Sequence, residues 1–96
     1  MPLYVSLGRL TAEGAKDLKS STKRFSENKK AFDEVGARLI SSYVLLGRYD
    51  FLSIFEAPDG RTAMKLAAKT SSRGTSLYET LEAFPIDEFF KIAEEL

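Results

Sequence analysis

Residues 38–56 constrain the fold more tightly than any other stretch of this chain. Two runs, Arg38 to Leu46 and Phe51 to Glu56, are rich in β-branched, aromatic and large aliphatic residues, and Gly47-Arg48-Tyr49-Asp50 separates them. The pattern reads as an antiparallel hairpin. The insert is not of the Asn-Gly type, so a loop of about three to five residues is expected in place of a tight two-residue turn. In the first run Ile40, Val44 and Leu46 alternate with Leu39, Ser41, Tyr43 and Leu45; in the second, Leu52 and Ile54 alternate with Phe51, Ser53 and Phe55. Apolar side chains thus fall on both faces, and both faces should be at least partly covered.

The chain before the hairpin supplies a strand and a helix. Pro2 to Leu10 alternates, with Leu3, Val5 and Leu7 on the side expected to meet the core and Tyr4, Ser6 and Gly8 on the other. Thr11 is placed to cap the following helix, and Glu13 falls in its first turn, where the helix dipole favours negative charge. Gly14 is a poor helix former; it either lets the helix approach a neighbour closely or is an ordinary early-helix glycine. Ala15, Leu18, Thr22, Phe25, Phe32 and Val35 form a narrow apolar stripe, with a bend or break expected at Ser20-Ser21-Thr22. Gly36 should end the helix. After the hairpin, Asp59 should cap a second helix that runs to about Lys69 and is lined by Ala63, Met64, Ala67 and Ala68. Ser76 to Ala83 alternates as a fourth strand, Phe84-Pro85 breaks it, and Ile86 to Leu96 has the periodicity of a short amphipathic helix.

Strand, helix, strand, strand, helix, strand is the order of a ferredoxin-like α+β sandwich, with four antiparallel strands and both long helices on one face. One domain over residues 1–96 is expected. The helix-free face is expected to carry Tyr4, Ser6, Tyr43, Phe51, Ser53, Phe55, Tyr78 and Thr80, with Leu39 and Leu45 beside them. That much aromatic surface on one flat face calls for a cover. Phe51, Ser53, Phe55 and Leu45 are accordingly the expected interface of a homodimer or higher homo-oligomer.

Composition narrows the chemistry. The chain has neither cysteine nor histidine, which removes disulfides, thiolate nucleophiles, the commonest transition-metal ligands and the commonest general base together. No loop has the spacing of a carboxylate-only Mg²⁺ or Ca²⁺ site, so no metal and no cofactor is expected. Net charge is zero but unevenly spread: seven basic and three acidic residues lie between Arg9 and Lys30, six acidic and one basic from Thr75 to Leu96. Such a balance suits faces that attract one another better than a nucleic-acid surface. The hairpin also departs from the RNA-binding motif of this fold, since Asp50 puts negative charge where a phosphate backbone would pass; no nucleic-acid partner is expected. No apolar run approaches membrane-spanning length, and Met1-Pro-Leu-Tyr4 lacks the pattern of a signal peptide, so a cytoplasmic location away from membranes is expected.

Gly47-Arg48-Tyr49-Asp50, followed by Phe51-Leu-Ser-Ile-Phe-Glu-Ala-Pro58-Asp59, resembles the GYD domain family of small bacterial and archaeal proteins. Leu10-Thr11-Ala-Glu-Gly14, Gly36-Ala37 and Glu79-Thr80-Leu81-Glu-Ala-Phe84 add to the match, which spans about residues 3 to 85. The resemblance implies membership of the dimeric α/β-barrel group, in which two ferredoxin-like sheets pack face to face, and it carries no settled activity. Ser76-Leu77-Tyr78 stands where the family has a more polar, threonine-bearing stretch.

Asp50 and Tyr49 are the foremost site candidates. Asp50 at a hairpin end is placed either to accept backbone N–H groups, with Gly47 supplying a positive φ, or to face a ligand beside a phenol. Tyr4, Tyr43, Tyr78 and Thr80 either line a pocket between paired sheets or pack in an interface. The reading that follows is an oligomeric module binding a small molecule or a protein at the open sheet face. Its alternative is a cofactor-poor enzyme, monooxygenase- or isomerase-like, with Asp50 or a glutamate as base and Tyr43, Tyr49 or Tyr78 as proton donor.

Overall fold

Local signals set the element boundaries. In the computed structural model, which describes residues 1–96, strand β1 spans Leu3–Leu10 and ends at Thr11, whose hydroxyl accepts the Gly14 N–H at 3.1 Å and caps the short helix α1, Ala12–Ala15. The helix does break, but ahead of the expected place: residues 16–17 and a 3₁₀ turn at Leu18–Ser20 separate α1 from α2, Ser21–Glu34, whose first turn holds Ser21 and Thr22. Gly36, at φ +78°, closes α2. Ala37 N–H donates to Phe32 C=O and Gly36 N–H to Asp33 C=O, the paired bonds of a Schellman end. Strand β2, Arg38–Val44, and strand β3, Phe51–Glu56, form the hairpin. Its loop runs from Leu45 to Asp50, longer than expected, because β2 stops at Val44 and Leu46 stands fully in solvent. Asp59 accepts the Thr62 N–H at 2.8 Å and caps α3, Gly60–Ser71; β4, Ser76–Ala83, and α4, Ile86–Glu94, complete the chain.

The strands lie in the order β2-β3-β1-β4, antiparallel throughout, with α2 and α3 packed together and α3 running against β4. The fold is therefore the ferredoxin-like α+β sandwich expected from the element order.

Which face meets the helices is the reverse of the expected one. Phe55 is the most buried large side chain, and its ring meets Phe32 of α2 edge-on at 5.3 Å and stacks on Tyr4 at 5.5 Å. Tyr4, Ser6 and Gly8 of β1, Phe51, Ser53 and Phe55 of β3, and Tyr78 and Thr80 of β4 share that helix-facing side through their cross-strand registers. Leu39 joins them opposite Phe55. Val5 and Leu7, with their cross-strand partners Ile54 and Leu52, Leu81 and Glu79, form the open face instead. A bulge at Ile40 shifts β2 by one residue, so Ser42 pairs with Ser53 and Tyr43 with Leu52. Phe51, Ser53 and Phe55 are thus not interface residues on an open face; Phe55 holds the core together. Leu45 lies beyond β2, in the loop.

That core is small and sits at one end of the sandwich. Tyr4, Phe32, Phe55 and Leu66 are packed there among Ala31, Ala37, Ala57 and Ala63. Leu66 replaces Met64 as the large inward residue of α3, since Met64 is 73% exposed. Burial of the Tyr4 hydroxyl raises its pKa, with Glu82 and Asp59 adding to the effect.

Candidate functional site

Three features stand out, each from a different part of the sequence. The hairpin loop is the first. Gly47 adopts φ +145°, a conformation rarely taken by residues with a side chain, and turns the chain so that Tyr49 lies across the end of the open sheet face. The Tyr49 hydroxyl donates to Glu79 at 3.0 Å, and the guanidinium groups of Arg9 and Arg48 each lie 5.3 Å from its ring. Asp50 makes three bonds, two that fasten the loop to β1 and one that closes the loop on itself. Its N–H donates to Gly8 C=O at 2.8 Å, its carboxylate accepts the Leu10 N–H at 2.8 Å, and its C=O accepts the Leu45 N–H at 2.7 Å. The Gly-Arg-Tyr-Asp stretch is therefore a clamp that ties the loop to β1 and β4, and the carboxylate is used to finish the β1 ladder.

A cavity of about 330 Å³ between the sheet and helices α2 and α3 is the second feature. It exists because the helix-facing side loses bulk away from the Tyr4–Phe55 core. In one cross-strand row, Ser42, Ser53, Ser6 and Thr80 stand side by side on four adjacent strands. These hydroxyls floor the cavity; Phe25, Phe32, Phe51 and Leu66 wall it. The Ser42 and Ser53 hydroxyls lie 2.9 Å apart, within hydrogen-bond reach. Tyr78 closes one end over Gly8, where an added Cβ would come within 2.9 Å of its ring, and the Tyr78 hydroxyl accepts from Asn28 Nδ2 at 3.4 Å. Asn28 in turn accepts a hydrogen bond from Arg73. Arg24 and Lys29 are the only charged residues in the lining, and no carboxylate joins them.

Among the residues expected at a site, Tyr78 and Thr80 line this cavity and Tyr43 reaches its rim. Tyr4 is in the core, and Tyr49 and Asp50 belong to the clamp. Asp50 does not line the cavity that Tyr78 closes, and the tyrosine–carboxylate pair that does form among the candidates, Tyr49 with Glu79, lies outside it at the end of the open face. Asn28, Arg24 and Ser42 are not singled out by the sequence; alternation puts Ser6, Ser53 and Thr80 on one face but not in one row. The row is visible only once the register and the Ile40 bulge place residues from four strands in line.

The third feature is apolar surface left uncovered. The helix α4 stands away from the sandwich, which stretches the molecule to 51 × 30 × 18 Å. Ile86, Phe89, Phe90 and Ile92 on it are each more than half exposed. On the open face of the sheet Leu77 is 60% and Leu81 44% exposed.

Fold and site geometry together define a ferredoxin-like domain with an uncovered sheet face and a clamped hairpin loop. The family model for the GYD domain matches residues 4–93, and the chain belongs to that family. A relative from Thermus thermophilus, the glutamine synthetase and cystathionine beta-lyase binding protein, is 36% identical over 87 residues, covering 90% of this chain and 92% of that protein. Among solved structures, a protein of unknown function from Rhodopseudomonas palustris has the same fold. It superposes with a TM-score of 0.50 at 12% identity over 88% of this chain and 84% of the other. No helix is long and apolar enough to cross a membrane.

Proposed function

We propose that the chain is an oligomeric protein-binding module and not a catalyst. The observation that carries this reading is the apolar side chain that one chain leaves in water, on α4 and on the open sheet face. Contiguous apolar surface of that kind marks protein contacts. The open sheet face is the surface for a second copy, because Arg9 and Glu79 put both signs of charge on it and a two-fold pairing is self-complementary. The acidic helix α4, with Asp87, Glu88 and Glu94 and the following Glu95 against Lys91, is the arm offered to a larger protein. The resemblance to the relative from Thermus thermophilus makes glutamine synthetase and cystathionine beta-lyase the first partners to test.

The test is a titration of each purified enzyme with the chain, followed by interferometry. The reading expects saturable binding to at least one, weakened roughly ten-fold or more by Phe89→Glu with Phe90→Glu, as central aromatic contacts usually are. Binding that is indifferent to α4 removes the helix from the account. A chain that binds neither enzyme and stays monomeric overturns the reading.

A further inference from the structure

We infer that the cavity between the sheet and α2/α3 is a binding site for a small organic acid with an apolar body. It lies on the opposite side of the sheet from the face assigned to the second copy, and it does not depend on that assignment.

A two-layer sandwich fills the space under its helices with Val, Ile and Leu, since empty volume forfeits packing. Here four strands present Ser42, Ser53, Ser6 and Thr80 in one row at that depth, and about 330 Å³ remains open above them. That volume is at the lower end of the ~300–1,000 Å³ typical of ligand pockets. Ser42 is exposed and Ser6, Ser53 and Thr80 are half-buried, so the row can be reached from solvent, and within it only Ser42 and Ser53 meet each other, which leaves the Ser6 and Thr80 hydroxyls free for a ligand. The walls are aromatic and aliphatic, through Phe25, Phe32 and Leu66. At the mouth stand Arg24 and Lys29, neither in a salt bridge with any carboxylate of the chain. Arg24 is held in place by the carbonyls of Asp17, at 2.8 Å, and Gly14, at 3.2 Å, which fix the guanidinium without neutralising it. An oriented guanidinium, the exposed Lys29 ammonium 6.0 Å from the Phe25 ring, an apolar throat and a hydroxyl floor suit a carboxylate at the mouth, a ring or branched chain against Phe25 and Phe32, and a polar substituent at the floor.

The experiment is a ¹H–¹⁵N NMR titration of the intact chain with phenylacetate, 4-hydroxyphenylacetate and 3-methylbutanoate, each beside its uncharged primary amide. The amides of Ser6, Ser53, Tyr78 and Thr80 should shift saturably. Acids should bind roughly ten-fold tighter than their amides, because an ionised partner strengthens the contact. Lys29→Gln should remove a large part of that preference, and Ser6→Val with Ser53→Val should abolish binding by filling the floor. If the double variant fails to fold, Thr80→Val, which keeps the shape and removes a hydroxyl, should still weaken the hydroxylated acid more than phenylacetate. Equal affinity for acid and amide, shifts confined to the open face or α4, or no saturable shift with any of the acids overturns the inference. The readout uses one chain and no protein partner, so it fails separately from the docking proposal.

Discussion

Gly14→Ala separates the account given by this structure from one based on helix propensity alone. Propensity predicts stabilisation by about 1 kcal/mol, because glycine is the weaker helix former at an exposed interior site. The structure predicts the opposite sign. Gly14 is buried, and a Cβ placed on it would lie 2.1 Å from the backbone carbonyl oxygen of Thr75, far inside contact distance. Neither atom sits on a flexible side chain, so relief requires α1 to move off the segment that leads into β4. That segment is joined to the start of α1 by two hydrogen bonds, Thr11 N–H to Thr75 C=O at 3.0 Å and Thr11 Oγ to Gly74 C=O at 2.6 Å. Weakening both costs roughly 1–3 kcal/mol at the usual net value per bond, which offsets the propensity gain and more. The expected net loss is about 1 kcal/mol, or ~4–8 °C in melting temperature for a domain of this size. Urea denaturation followed by circular dichroism measures it. A variant as stable as the parent, or more so, would show that the close approach of α1 to Thr75 is not a constraint on this fold.

Asp50→Ala should cost ~1.5–3 kcal/mol in the same assay, as loss of a hydrogen bond to a charged group does, while Asp50→Asn keeps an acceptor for the Leu10 N–H and should cost less than half as much; equal losses would mean that the bond to Leu10 is not what the carboxylate supplies. Acidification should destabilise the chain. The Arg38 hydrogen bond holds Glu56 below the usual carboxylate range, as Lys69 does for Glu34 and the bonds from Thr62 do for Asp59. Depressed folded-state pKa values mean that the unfolded chain binds more protons, so this contribution is present above ~pH 4–5 and is lost as pH falls toward the lowered values. Glu56→Gln should flatten that part of the pH–stability profile, and an unchanged profile would count against the Arg38 pair.

Much of the fold was legible because its boundaries are local. Thr11, Gly36 and Asp59 cap or close helices through groups a few residues away; the break in the first helix, by contrast, falls over residues 16–20, mostly ahead of the Ser20-Ser21-Thr22 run expected to cause it. The facing of the sheet was not legible by alternation, since β1 offers Leu3, Val5 and Leu7 on one side and Tyr4, Ser6 and Gly8 on the other. The side with more aliphatic bulk reads as the core, yet it is the open face. A signal was present: Arg9 falls in phase with Leu7, and Glu79 in phase with Leu77 and Leu81, so charges mark that column as solvent-facing. The helix-facing column looked too polar for a core because part of it floors a cavity. Pairing across four strands and the one-residue bulge at Ile40 create the hydroxyl row, and no window of sequence contains them together. The role of Asp50 was half legible. An Asp at a hairpin end suits backbone N–H groups, but the one its carboxylate accepts belongs to Leu10, forty residues away.

Sedimentation equilibrium of the intact chain at micromolar concentration and physiological salt tests the docking account most directly, with Leu81→Lys on the open face as its control. The account predicts a species of at least twice the 10.7 kDa chain mass, reduced to a folded monomer by Leu81→Lys with its circular dichroism preserved. A folded, homogeneous monomer of the unaltered chain would contradict it.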